Sequence, residues 1–127
     1  MSSSRRPLYH ALIRTHHITS RTKVAKLKAA ARKLNCYGLL KSGSWPGLMY
    51  VESDVEEATK DWVDIVHALR YKDYQLISPP ASAASKVVPF GERGVLREVD
   101  TVKEFAIEME RKGLLEWWRA AMGYDPS

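Results

Sequence analysis

Apolar positions along this chain alternate singly, then recur every three or four residues, then alternate again. Over Leu8–Ile18 the alternation puts Tyr9, Ala11 and Ile13 on one face and His10, Leu12, Arg14 and His16 on the other. That pattern reads as a strand with one face more polar. From Ser20, a good N-cap, Val24, Leu27, Ala31 and Leu34 fall at helical spacing, and Asn35 suits a C-terminal cap. Tyr37–Lys41 and Leu48–Glu52 read as two strands of a hairpin. Ser42–Gly47 joins them, with Pro46-Gly47 as its strongest turn mark. Asp54 with Glu57 opens a second helix, whose stripe is Val55, Ala58, Trp62, Ile65, Val66 and Leu69. Asp73–Ser78 reads as a short fourth strand, and Pro79–Gly94 as a long loop. Asp100 then caps a helix that reaches Arg111–Lys112 and ends at Gly113. Leu114–Met122 continues as a short apolar helix, stopped by Gly123.

The order β-α-β-β-α-β defines the fold class: α+β, a ferredoxin-like sandwich. Such a sandwich has a four-stranded antiparallel sheet with two helices on one face. Here it carries extra C-terminal helices, about residues 100–123. One domain spans 7–124, after a disordered basic tail at 1–6. The second sheet face is expected to lie open and to present Arg14, His16 and Lys41.

A chain of 127 residues holds one domain with a real core. It has no apolar run long enough to span a bilayer, so no membrane partner is expected. The single cysteine, Cys36, cannot form an internal disulfide and reads as a buried, inert thiol in a reducing compartment. Nuclear or cytoplasmic placement follows from that reading. The Arg- and Ser-rich start also fits a mitochondrial transit peptide, although the strand beginning at Leu8 argues against cleavage there.

Charge changes the picture most. Arg5, Arg6, Arg14, Arg21, Lys23, Lys26, Lys28, Arg32, Lys33 and Lys41 all precede Glu52, the first acid. All 15 acidic residues lie from Glu52 onward, within a net charge of +5. Such asymmetry points to a polyanionic partner. The densest cluster is His16-His17-Ile18-Thr19-Ser20-Arg21-Thr22-Lys23, at the hand-over from strand to helix. Free N–H groups and the positive end of the helix dipole face that turn, where a phosphate could bind. Lysines and arginines flank the helix behind it on both sides. Trp45, at the hairpin tip, could stack on an unpaired base or fold back onto the sheet. His17-Ile18-Thr19 has the His-x-Thr form of two-histidine phosphodiesterases. His10-Ala11-Leu12 and His67-Ala68-Leu69 lack the hydroxyl a second such motif needs. The adjacent histidines have no Cys or carboxylate at ligand spacing, so no metal and no cofactor is expected. Of Trp117 and Trp118, one is expected in the core and one at its rim.

These residues also carry a family resemblance. His16-His17-x-x-Ser20-x-Thr22-Lys23, Tyr37-Gly38-Leu39 and Pro46-Gly47-Leu48-Met49-Tyr50-Val51-Glu52 resemble the domain that follows the RWD domain in RWD-domain-containing protein 2. The same domain closes pre-mRNA-processing factor 3. Phe105, Lys112-Gly113, Trp117-Trp118 and Gly123 extend the likeness, which covers about residues 8–124. It implies a ferredoxin-like fold with C-terminal helices and, in the splicing branch, contact with single-stranded RNA. The sequence shows neither the RWD domain nor the long basic region that precede this domain in those proteins. The expected function is therefore non-enzymatic binding of RNA, single-stranded rather than duplex, through Arg14, His16, His17, Ser20, Thr22, Lys23, Lys26, Lys33, Lys41 and Trp45. Two alternatives stand beside it: a protein-interaction module of a ribonucleoprotein or other complex, and an RNA phosphodiesterase using His17.

Overall fold

The computed structural model describes residues 7–83 and 92–124. The expected basic tail at 1–6 and residues 84–91 of the expected loop Pro79–Gly94 therefore lie outside the described residues. Eight elements follow the expected order closely: β1 Tyr9–Thr15, α1 Arg21–Leu34, β2 Tyr37–Lys41, β3 Gly47–Ser53, α2 Glu56–Ala68, β4 Gln75–Ser82, α3 Val102–Arg111 and α4 Leu115–Met122. A fifth strand, β5 Val95–Val99, precedes α3 and was not expected. The sheet order is β4-β1-β3-β2-β5. Its first four strands pair antiparallel, and β5 pairs parallel with β2. The chain is thus an α+β ferredoxin-like βαββαβ unit, enlarged to a five-stranded mixed sheet with four helices.

Alternation along β1 sends Ala11 and Ile13 into a core shared with Leu40, Met49, Val51 and the inner faces of α1 and α2. Helix α1 forms as its sequence predicts. Ser20 Oγ accepts from Lys23 N at 3.2 Å, and Asn35 caps the far end in the left-handed region. Val24, Leu27, Ala30 and Ala31 are its buried stripe. On α2 the buried positions are Thr59, Trp62, Val63 and Val66, and Trp62 Nε1 donates to Leu27 O across the helix pair.

Three expectations at element ends are corrected. Asp54 does not cap α2: Val55 is the N-cap, and Asp54 accepts instead from Arg93 Nη2 at 3.1 Å. Val55 is exposed rather than part of the buried stripe. Thr101, not Asp100, caps α3, in a reciprocal capping box with Glu104. The fourth strand runs on through Pro79 and Pro80, which a pattern reading takes as loop. It is a sheet edge, where a missing N–H costs no ladder bond on the outer side.

The largest correction concerns the second sheet face, which is covered. Leu12, Tyr37, Leu39, Leu48 and Tyr50 pack there against Phe105, Met109, Leu114, Trp118 and Met122 of the C-terminal helices. Trp118 is buried, while Trp117 is half-buried and stacks on His10 at 4.4 Å.

A polar chain crosses this second core. Lys112 Nζ lies 2.8 Å from Glu52 Oε2, and neither side chain is exposed. Tyr50 donates to Glu52 Oε1 at 2.8 Å. The Tyr50 proton being used, His10 Nδ1 is the donor in its 3.1 Å contact with Tyr50 Oη. Burial and then Lys112 bring the His10 pKa down to about 4, so the imidazole is neutral. Arg93 Nη1 adds a 3.4 Å contact to Glu52 Oε2. The network joins β1, β3 and the end of α3, which pins the tail to the sheet.

Candidate functional site

Arg14 stands at one end of the sheet, and Lys23, Lys26 and Lys33 follow one flank of α1, with Arg21, Lys28 and Arg32 on the other. Several backbone bonds build that end. His16 N donates to Lys72 O at 2.9 Å, and Gly47 N donates to His16 O. Ile18 and Gly43 exchange bonds of 3.0 and 2.8 Å as an isolated bridge. Gly47 is required here, because a Cβ on it would overlap Thr15 Oγ1 and sit 2.6 Å from Ile18 Cδ1. The turn after β1 is thereby laced to the hairpin on one side and to the start of β4 on the other.

At this end an open cleft of about 480 Å³ is lined by Arg14, Thr15, Trp45, Asp73, Tyr74 and Gln75. Trp45 stands out from the hairpin tip, 63% exposed, so it does not fold back onto the sheet. Arg14 donates to Gln75 Oε1 through Nε at 3.1 Å and also through Nη2. Tyr74 lies beside His67, their ring centroids 5.0 Å apart. Thr15 Oγ1 is buried with no hydrogen-bond partner among the described residues. Asp73 holds a left-handed backbone, φ 56°.

His16 and His17 sit at the rim of the same end, His17 exposed. Their Nδ1 atoms are 2.6 Å apart, so one must accept from the other. From them the surface runs to Lys23, whose Nζ lies 5.0 Å from the Tyr71 ring centroid, next in chain to Lys72. Burial pushes the Tyr71 hydroxyl up to about 12. Lys26 and Lys33 continue the same flank and are exposed, with no ion pair among the described residues. From Lys23 to Lys33 the flank extends about 15 Å, at the rise of an α-helix.

The other flank of α1 is different. Glu98 of β5 takes Arg21 Nη1 at 2.7 Å and Lys28 Nζ at 3.6 Å. The Arg21 hydrogen bond, with Ser42 and the nearby cations, lowers the Glu98 pKa to about 2 against its partial desolvation. These two cations share one acid far away in sequence, and Arg32 on the same flank is exposed with no ion pair among the described residues.

Among the expected site residues, Arg14, His16, His17, Lys23 and Trp45 are brought to one end, and Lys26 and Lys33 extend it. Thr22 is exposed on the first turn of α1. Ser20 is occupied as the N-cap. Lys41 is corrected: it is 3% exposed, and its Nζ donates to Ser44 O at 2.6 Å. The covered sheet face removes it from the surface. Asp73, Tyr74 and Gln75 were not expected. Their only sequence signal is the polar, aromatic start of the fourth strand, and pairing with β1 is what places them beside Arg14. Cys36 is buried, and burial pushes its thiol up to about 11, which makes it a poor nucleophile.

No family model and no curated protein matches this chain. Among solved structures, the one described as BlrP1 BLUF is similar. The TM-score is 0.58 at 16% identity, over 86% of this chain and 78% of that one. The likeness is one of fold. It agrees with the ferredoxin-like unit and assigns no site. Among the described residues no helix is long and apolar enough to cross a membrane, and no three His, Cys, Asp or Glu are grouped to hold a metal ion.

Proposed function

We propose that this domain binds single-stranded RNA without cleaving it, gripping phosphates along the Lys23–Lys26–Lys33 flank and at the His16–His17 turn. One observation carries the reading: Lys23, Lys26 and Lys33 follow one flank of α1 with no ion pair among the described residues, and the exposed ring of Trp45 and Arg14 line a cleft at the end of the sheet. Lysines at a surface neutralise phosphates and release counterions, which gives affinity without sequence preference. Exposed aromatic rings accept unpaired bases, which a duplex does not offer. The resemblance to the domain shared by RWD-domain-containing protein 2 and pre-mRNA-processing factor 3 supports RNA over other polyanions.

Titration with labelled single- and double-stranded RNA of equal length tests the reading. Tighter binding of the single strand, with the RNA intact afterwards, is the expected result. Equal binding of the duplex contradicts the role of Trp45. Cleavage that His17→Ala abolishes would replace the binding role with a phosphodiesterase.

A further inference from the structure

The Glu98 carboxylate is gripped as a bound anion is gripped. Arg21, the first residue of α1, sets its fork on it, Nη1 to Oε2 at 2.7 Å and Nη2 to Oε1 at 2.9 Å. Lys28 Nζ lies 3.6 Å from Oε1. Ser42 Oγ, buried just past β2, donates to Oε2. Parallel pairing of β5 with β2 sets the carboxylate there: Glu98 is the partner of Leu40, and Ser42 N donates to Val99 O at 3.3 Å. The Arg21 bond, ahead of the others, brings the Glu98 pKa down to about 2, so the group is an anion at neutral pH. An arginine fork with an ammonium and a hydroxyl beside it is also the donor set that takes two oxygens of a phosphate.

From this we infer that Glu98 stands in for a phosphate: the seat made by Arg21, Lys28 and Ser42 is a second RNA-phosphate site on α1, kept filled by the protein's own carboxylate. The inference rests on the single-stranded RNA reading and adds regulation to it. A carboxylate and a phosphodiester each present a pair of anionic oxygens to the same fork, so the two exclude one another. The carboxylate is tethered, which gives it an effective concentration far above that of RNA in solution. The side chains of Arg21 and Lys28 are 64% and 44% exposed, so a strand reaches them without any movement of the fold. With Glu98 in place, α1 meets the strand along the Lys23–Lys33 flank. With the seat open, the opposite flank adds a contact. Glu98 thereby sets an upper limit on how firmly the domain holds RNA.

The test compares the slope of log affinity against log salt for a short labelled oligouridylate. In Glu98→Gln the slope is expected to steepen by about 0.7, one further phosphate neutralised. Gln keeps the shape of Glu and an oxygen for Ser42, so this variant folds. Arg21→Gln should cost more slope in the Glu98→Gln chain than in the wild-type chain, because there the fork is open to RNA. Glu57→Gln removes an exposed acid of α2 that has no ion pair among the described residues, and it should leave the slope as it is. Three results overturn the seat while leaving the Lys23–Lys33 flank standing: an unchanged slope in Glu98→Gln, an equal cost of Arg21→Gln in both chains, or an equal rise in Glu57→Gln. No binding by any of these proteins removes the RNA reading along with the seat.

Discussion

Lys112 Nζ and Glu52 Oε2 lie 2.8 Å apart with both side chains wholly buried. They stand 60 residues apart in sequence and join the end of α3 to a central strand. Removing one partner strands the other charge in the core. Lys112→Met is expected to destabilise the fold by about 3 kcal/mol. The double variant Glu52→Gln with Lys112→Met should be more stable than Lys112→Met alone. Urea unfolding of the four proteins checks this. A double variant as unstable as the sum of the singles would mean that the pair does not interact.

Acid should unfold this protein in two steps of different origin. The His10 imidazole has its pKa lowered from 6.5 to about 4 in the fold. The unfolded chain therefore takes up that proton first, and stability is lost as pH falls from 6.5 towards 4. Glu98 is held at about 2 against its ordinary 4.5. Its contribution is present above pH 4.5 and is lost as pH falls towards 2. Stability measured against pH for His10→Gln should lack the upper step and keep the lower.

Two glycines differ in what a methyl group would meet. At Gly47 a Cβ overlaps Thr15 Oγ1 and crowds Ile18 at 2.6 Å, both held by the turn. At Gly38 it meets Leu96 Cδ1 at 2.6 Å, the far end of a side chain at the sheet edge. Gly47→Ala is expected to cost about 2 kcal/mol or more, and Gly38→Ala less. Thermal unfolding ranks them. Gly47→Ala should also weaken RNA binding, since the turn it disturbs carries His16 and the hairpin carries Trp45.

Local chemistry made much of this fold legible. The α1 caps Ser20 and Asn35 and the β2 bounds Tyr37–Lys41 follow from short-range signals alone. Strand β5 did not, because Val95-Leu96-Arg97-Glu98-Val99 has too little alternation to stand alone. Its parallel pairing with β2 creates it. That same pairing brings Glu98 to Arg21 and Lys28, so no reading of α1 by itself could tell that these two share an acid while Lys26 and Lys33 do not. Lys41 illustrates the opposite error: strand alternation placed it on the second face, but the helices that bury that face lie 60 and more residues later. The cleft was half visible. Trp45 declared itself beside Pro46-Gly47, whereas Asp73 and Gln75 needed the β1–β4 register.

The two flanks of α1 give the most direct test of the central claim. The slope of log affinity against log salt for single-stranded RNA counts phosphates neutralised, at about 0.7 per contact. Lys26→Gln with Lys33→Gln should lower that slope by about 1.4. Arg21→Gln with Glu98→Gln, which removes a paired charge of each sign, should leave it unchanged. Equal slopes in all three proteins, or a fall only in the Arg21 and Glu98 variant, would contradict the account.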